Sequence, residues 1–319
     1  MSDLGMNERA WTLADRYVAR AYDLRMGVRT LSSGARVIDA GVEVPGGLEA
    51  GLMLAELCMG GLGHVSYAPI VFAGESWTGV QVWTDHPAAS CMASQYAGWA
   101  INPDGFFAMG SGPLRAKARV EKELFEKLGY AEQASRGVLV LEGRALPTDD
   151  VAAWVAKKAD VTPHAITFAV APTASLAGGV QIVARSIETG LHKMDTLGFD
   201  VARVVSAIGT APLPPIAKND LRAIGRTNDC VLYGGQVRYA VIGDDDELAQ
   251  LTERLPSSTS ADYGTPFYDI FKRYNNDFYK IDPMLFSPAE VWLTSVQSGR
   301  TFHAGRTDID VLRASLFGG

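Results

Sequence analysis

The sequence predicts an α/β protein, with a mixed α+β arrangement as the alternative. Three observations lead to that class. Short apolar runs of strand character, such as residues 137–141 and 167–171, alternate with stretches of helical periodicity. Glycine-containing turns, among them Pro45-Gly46-Gly47 and Gly110-Ser111-Gly112, separate these runs. A length of 319 residues, 47% hydrophobic and 20% charged, provides for two domains or one large one with a substantial core.

In chain order, residues 7–26 keep Ala10, Leu13, Tyr17, Val18, Ala21 and Leu24 at helical spacing. Residues 30–42 read as a hairpin around Ser33-Gly34. Residues 41–65 hold seven glycines. Pro45-Gly46-Gly47 opens a helix over 48–59 and Gly60-Gly61 ends it. Amides at such a helix start are a candidate anion site. Neither a P-loop lysine nor the spacing of a dinucleotide fingerprint is present, and close helix-on-strand packing explains the glycines equally well. Strands follow at 64–72 and 79–84. Residues 85–101, small and polar around Gln95, Tyr96 and Trp99, read as a loop and helix start lining a pocket.

A strand, the Gly110-Ser111-Gly112 turn and a charged amphipathic helix over 114–128 come next. Residues 137–141 form a strand, and Thr148 caps a helix over 149–158 with acids in its first turn. After a strand at 167–171, Ser175 caps a helix that carries Arg185 and Glu188, with Gly190 as its C-terminal stop. Residues 200–208 read as a helix, 230–233 and 237–242 as strands, and 245–255 as a helix. The polar stretch 219–229 precedes the first of those strands, and the aromatic-rich tail is irregular, with Ser287-Pro288 starting a short helix.

A net charge of −7 without a long Lys/Arg block argues against nucleic acid and membrane surfaces as partners, and leaves room for a local basic pocket. Cys58, Cys91 and Cys230 are widely spaced and form no CxxC, which reads as reduced, packed thiols in a cytoplasmic protein. The polar start MSDLGMNERAW is unlike a signal peptide, and no apolar run reaches the roughly 20 residues of a bilayer span.

His64, His86, His164, His192 and His303 form no HxH, HExxH or Cys/His cluster, so no dedicated metal site is expected. No GxSxG is present, and Ser111 between two glycines reads as a turn residue. The remaining chemistry is Arg185 with Glu188. Three residues apart on a helix, they share a face. An isolated Arg-x-x-Glu reads first as a surface ion pair. Facing a cleft, the same pair is a base with its electrostatic partner, suited to water activation or proton transfer.

Five segments in order between residues 41 and 235 carry a resemblance: GVEVPGGLEAGLMLAEL, ASQYAGWAI, AMGSGPLRA, ARSIETGLHKM and DLRAIGRTNDCVLYGG. Together they resemble the methenyltetrahydromethanopterin cyclohydrolases, and the composition suits a methylotrophic bacterial member. The resemblance implies reversible hydrolysis of the methenyl bridge of a pterin one-carbon carrier to the formyl form, with no metal or redox cofactor. It implies a homotrimer of two-domain α/β subunits, divided here near 1–165 and 166–319 with segments able to exchange, and a pterin pocket between the domains. It assigns Arg185 and Glu188 as the catalytic pair, and Gln95, Tyr96 and Ala97 as a second active-site segment. Gly46, Gly47, Ser111, Arg226 and Asn228 are further expected pterin contacts. Arg185 would favour the charged form of Glu188, whereas burial and a place near the negative end of the helix would oppose it. Two alternatives stay open: the same ring opening on a tetrahydrofolate, and a pterin-binding protein without catalysis. A phosphate-binding transferase is disfavoured by the missing P-loop lysine.

Overall fold

The computed structural model describes residues 4–72, 74–96 and 98–318. It divides into two compact units, each built from two chain segments: Met1–Gly63 with Ala89–Gln181, and His64–Ala88 with Ile182–Gly319. The strands, in chain order, are β1 (Gly27–Thr30), β2 (Arg36–Asp39), β3 (Gly63–Phe72), β4 (Glu75–Thr84), β5 (Trp99–Ile101), β6 (Ala108–Ser111), β7 (Gly137–Glu142), β8 (Ile166–Ala171), β9 (Val204–Pro212), β10 (Gln236–Val241), β11 (Glu290–Ser295) and β12 (Thr301–Gly305).

The first unit holds a mixed sheet in the order β1-β2-β8-β7-β6-β5. β2, β8 and β7 run parallel, and the outer pairs are antiparallel. Its central strands are apolar on both faces, as expected of strands covered by helices on each side. Val138 and Val140 join Ala10, Ala14, Met53, Leu54 and Leu57 on one face, from helices Met6–Val18 and Leu48–Cys58. Leu139 and Leu141 join Val151, Ala152 and Val155 of helix Asp149–Ala159 on the other.

The second unit holds a sheet in the order β12-β11-β10-β9-β4-β3, in which β10 and β11 pair in parallel. Helix Ser186–Thr196 packs on β9, β10 and β4, burying Ile187, Leu191 and Met194. On the opposite face the register aligns Trp83, Ile208, Arg238, Trp292 and His303 in one row across five strands. Arg238 lies over the Trp292 ring at 3.9 Å, and His303 stacks on it from the next strand.

Most predicted elements form, and the departures have physical causes. Residues 200–208 are not a helix: after the short turn Val201–Arg203 they enter β9, which carries the β-branched Val204, Val205, Ile208 and Thr210 and finds partners in both neighbouring strands. The strand expected at 230–233 is the end of helix Asp220–Leu232, whose start is capped by the Asn219 side chain accepting from Arg222 N. The helix over 114–128 breaks into Pro113–Ala118 and Lys122–Leu128 at Arg119, which is left-handed at φ 49°. The tail is more regular than expected: Phe267–Arg273 and Ile309–Phe317 are helices, and Ser287-Pro288 leads into β11 instead of a helix.

Asp229 joins three helices of the second unit. Its carboxyl accepts from Phe267 N at 2.8 Å and from the Ser315 hydroxyl. Burial raises its pKa from 3.8 to about 7, with the two donors working against the rise. A folded-state value above the unfolded one stabilises the fold at low pH, and that contribution is lost as pH rises through about 7. Asp229→Asn should therefore gain stability relative to the parent as pH rises from about 4 to about 7, the difference levelling off above that. Thermal melts of the two proteins across that range check it, and a pH-independent difference contradicts it.

Candidate functional site

The sequence places Arg185 and Glu188 on one helix, and the structure refines this. Ser175 caps a first helix, Leu176–Val183, donating to Pro172 O at 2.7 Å and accepting from Gly178 N at 3.0 Å. That helix stops, and a second begins with Arg185 as its N-cap residue. Arg185 N donates to Ile182 O and Arg185 O accepts from Thr189 N, both at 3.0 Å, so Arg185 keeps both its backbone groups bonded across the break. N-cap and third helical position are neighbours in space, so the spacing still sets both side chains at one turn. Glu188 thus lies at the positive end of its helix, the reverse of the expectation, because Gly190 does not stop the helix. The helix field there favours the carboxylate.

Arg185 is 8% exposed and Glu188 5%, so a solvated surface ion pair does not describe them. Gly190 has a different reason to be glycine: a Cβ there would stand 2.0 Å from the Tyr239 hydroxyl. That hydroxyl donates to Ile187 O at 3.0 Å, tying the helix to β10. Gly209 of β9 likewise leaves room for Ser186, whose Oγ would be 2.7 Å from an added Cβ. Further along, the buried Lys193 donates to Pro256 O, Thr259 Oγ1 and Met284 O at 2.7, 2.8 and 2.6 Å. Burial pushes Lys193 down to about 7, with Asp282 opposing. Three acceptors around one nitrogen call for the three N–H donors of the ammonium, and the charged form is the one this geometry holds. His192, partly buried, belongs to the same helix one turn after Glu188, contrary to the expected stop at Gly190.

The second expected segment lies in the first unit. Ala88–Gln95 is a π-helix, closed by Tyr96 N donating to Cys91 O at 2.9 Å. Gln95 is fully buried and Tyr96 partly so, while Ala97 lies outside the described residues. Ser94 O accepts from Gly112 N at 2.7 Å, and Ser94 Oγ donates to Cys58 O at 2.6 Å. Ser111, buried, meets the Cys58 thiol at 3.2 Å. Ser94, which precedes Gln95 and Tyr96 in the chain, and Ser111 therefore meet at the end of helix Leu48–Cys58.

Gly46 and Gly47 stand at the other end of that helix, whose 11 residues span about 16 Å. At φ 59°, Gly46 has Ala40 O where a Cβ would be, only 2.0 Å away, so its glycine has a packing reason. The amides of Gly41, Val42 and Glu43 already have an anion partner, the Asp39 carboxylate, at 2.7–2.9 Å. Arg226 and Asn228 share helix Asp220–Leu232 in the second unit. The Asn228 amide donates to Ile224 O at 2.8 Å, and Arg226 reaches Pro215 O and Ile216 O only at 3.5 and 3.4 Å.

Sequence reasoning missed Arg115, which looked like one charge of a surface helix. It is fully buried, and its guanidinium meets Glu121, Met92 O and Ala93 O. Its only sequence cue was its place three residues after the Gly112 turn. Among the described residues no group of three or more His, Cys, Asp or Glu side chains is gathered as metal ligands.

A protein-family model described as cyclohydrolase (MCH) matches residues 5–316. A methenyltetrahydromethanopterin cyclohydrolase of Methylobacillus flagellatus is 48% identical over 312 residues, 98% of this chain and 95% of that protein. The protein of the same name from Methylobacterium organophilum is 47% identical over 318 residues, covering 98% and 97% of the two chains. That of Methanococcoides burtonii is 41% identical over 314 residues, covering 98% of each.

The fit of Gly190 against Tyr239 gives a measurable coupling. Gly190→Ala should destabilise the protein by about 1–3 kcal/mol through overpacking. Combined with Tyr239→Phe, which removes the obstructing oxygen, it should cost less than the sum of the two single changes. Urea unfolding of the four proteins measures this, and strict additivity would contradict the contact.

Proposed function

The chain belongs to the cyclohydrolase (MCH) family, and from that premise we propose that it reversibly hydrolyses 5,10-methenyltetrahydromethanopterin to the 5-formyl form. The observation that carries the reading onto particular residues is the buried Arg185–Glu188 turn, with an arginine and a glutamate at one helix start. The methenyl bridge is an amidinium-like cation, already electrophilic, and needs a water deprotonated in place. Glu188 takes one proton as the water oxygen bonds to the bridging carbon. Arg185 orients that water and stabilises charge on the oxygen of the tetrahedral adduct. The carbon–N10 bond then breaks, N10 receives the proton held by Glu188, the adduct hydroxyl releases its proton to solvent as its oxygen becomes the carbonyl, and the carbon remains on N5 as a formyl group.

In this reading Gln95, Tyr96 and Ser111 bind the pterin, as do Arg226, Asn228 and the Gly46-Gly47 turn, and Ala97 belongs to the same segment as Tyr96. The reaction as written calls for no metal or redox cofactor, since the substrate carries its own positive carbon. A cytoplasmic setting is supported by three buried, free cysteines. No described helix is long and apolar enough to cross a membrane. A methylotrophic bacterial setting is supported by the higher identity to the Methylobacillus and Methylobacterium proteins than to that of Methanococcoides. The resemblance implies a homotrimer, and the row of Trp83, 38% exposed, and Ile208, 41% exposed, with Trp292 on the second sheet is the face by which copies would associate.

The decisive assay follows the loss of methenyl absorbance on tetrahydromethanopterin and tetrahydrofolate substrates at equal concentration. The first should be hydrolysed much the faster; a preference for the folate would replace the substrate assignment. Glu188→Gln should fold and bind the pterin yet lose turnover on the order of 10²–10⁴-fold. Arg185→Lys should also be poor, because a point charge does not replace a planar fork. Near-normal hydrolysis by the Gln variant would sink the mechanism. Ile208→Glu should lower the sedimenting mass of the oligomer if this face joins subunits, and an unchanged mass would exclude it.

A further inference from the structure

Arg115 lies wholly within the first unit and has no exposed surface. Its Nη1 donates to Ala93 O at 2.8 Å and to Met92 O at 3.2 Å. These carbonyls belong to the last turn of the π-helix, where main-chain acceptors run out of helical partners. Its guanidinium also lies over the Tyr96 ring at 5.0 Å and over Phe125 at 5.2 Å. Glu121 completes the set, accepting from Nε at 2.9 Å. A Cβ on Gly98 would lie 1.8 Å from that Glu121 oxygen, so the chain after Tyr96 leaves room for the carboxylate.

We propose that Arg115, held by Glu121, is a positioning residue that fixes the main chain at Met92–Ala93 and the ring of Tyr96, and so sets Gln95 and Tyr96 for the pterin. One planar cation does three tasks at once: it caps the π-helix, supports an aromatic ring and neutralises a carboxylate. A lysine in its place can meet only part of this geometry. For its functional consequence the proposal rests on the cyclohydrolase reading above. Its structural content stands apart from it.

Two measurements separate the levels. Hydrogen exchange on the full-length protein reads the segment directly, through the amide of Tyr96 bonded to Cys91 O. In Arg115→Met and Glu121→Gln, residues 91–96 should exchange roughly tenfold faster or more, while β7 keeps its protection. Gly98→Ala, which displaces Glu121 and leaves Arg115 in place, should act in the same direction. With methenyl-tetrahydromethanopterin, these variants should raise KM on the order of tenfold with kcat nearly kept, the sign of lost substrate binding. Unchanged exchange at 91–96 in the folded variants overturns the proposal. So does a loss of protection spread evenly through β7, which marks general destabilisation, and so does an unchanged KM in an active enzyme whose segment has loosened. Local loosening together with a wild-type protein that hydrolyses no methenyl pterin upholds the positioning role and overturns the cyclohydrolase reading instead.

Discussion

The seating of helix Ser186–Thr196 on the second sheet is the constraint on which the buried Arg185–Glu188 turn depends. A helix start is an unsteady place for a polar pair, since its first amides have no helical partners and its end frays. Here the end is held from below and from behind. Tyr239 rises from β10 into the space left by Gly190 and bonds Ile187 O, one of the two residues between Arg185 and Glu188 in the turn. Lys193, two turns on, locks the same helix to the Pro256–Thr259 turn and to Met284. Tyr239 bonds a main-chain carbonyl, and Lys193 bonds two carbonyls and the Thr259 hydroxyl. Replacing Lys193 removes the donor that the Met284 carbonyl has from it, and a buried acceptor left without its donor costs more than the bond itself contributes.

The first unit solves a related problem differently. Its π-helix leaves carbonyls at Met92 to Ser94 that regular helix geometry does not serve. Arg115 reaches the first two and Gly112 N the third. Asp39 shows the converse: a buried carboxylate gathers three consecutive amides of the glycine-rich loop. The anion site expected from the sequence was the helix start after Gly46-Gly47; the three amides that Asp39 satisfies lie earlier in the same loop and belong to the turn itself.

Much of the first sheet was legible because its strands are short apolar runs between clear turns, and periodicity reports such elements well. Residues 200–208 and 230–233 misled for one reason: local pattern does not say which neighbours a segment will find. Val204 to Pro212 became a strand because β4 and β10 flank it. Cys230 to Leu232 became helix because the Asn219 cap, eleven residues earlier, had already fixed the periodicity. At the site, the three-residue spacing of Arg185 and Glu188 survived the break between the two helices, since N-cap and third position remain adjacent. The role of Gly190 did not survive. A glycine needed for the approach of Tyr239, forty-nine positions away, carries the same local signature as one that ends a helix. Arg115 was invisible for the same reason, its partners Met92 and Ala93 lying on another element.

The corrected position of Glu188 changes the electrostatic balance expected for it. Near a helix C-terminus, burial and dipole together would have favoured the neutral acid, with Arg185 alone opposing them. In the first turn the dipole instead favours the carboxylate. A general base for water is needed as the carboxylate at the outset, and must then hold the proton long enough to hand it to N10. The dipole at the helix start favours the first condition. In the proposed reaction the second would be met as the adduct forms: the substrate's positive charge is then consumed, and Arg185 would turn to the oxygen of the adduct as its hydroxyl proton leaves. A fixed cation serving two acceptors in turn would let one carboxyl act as base and then as acid without any movement of the helix that carries it.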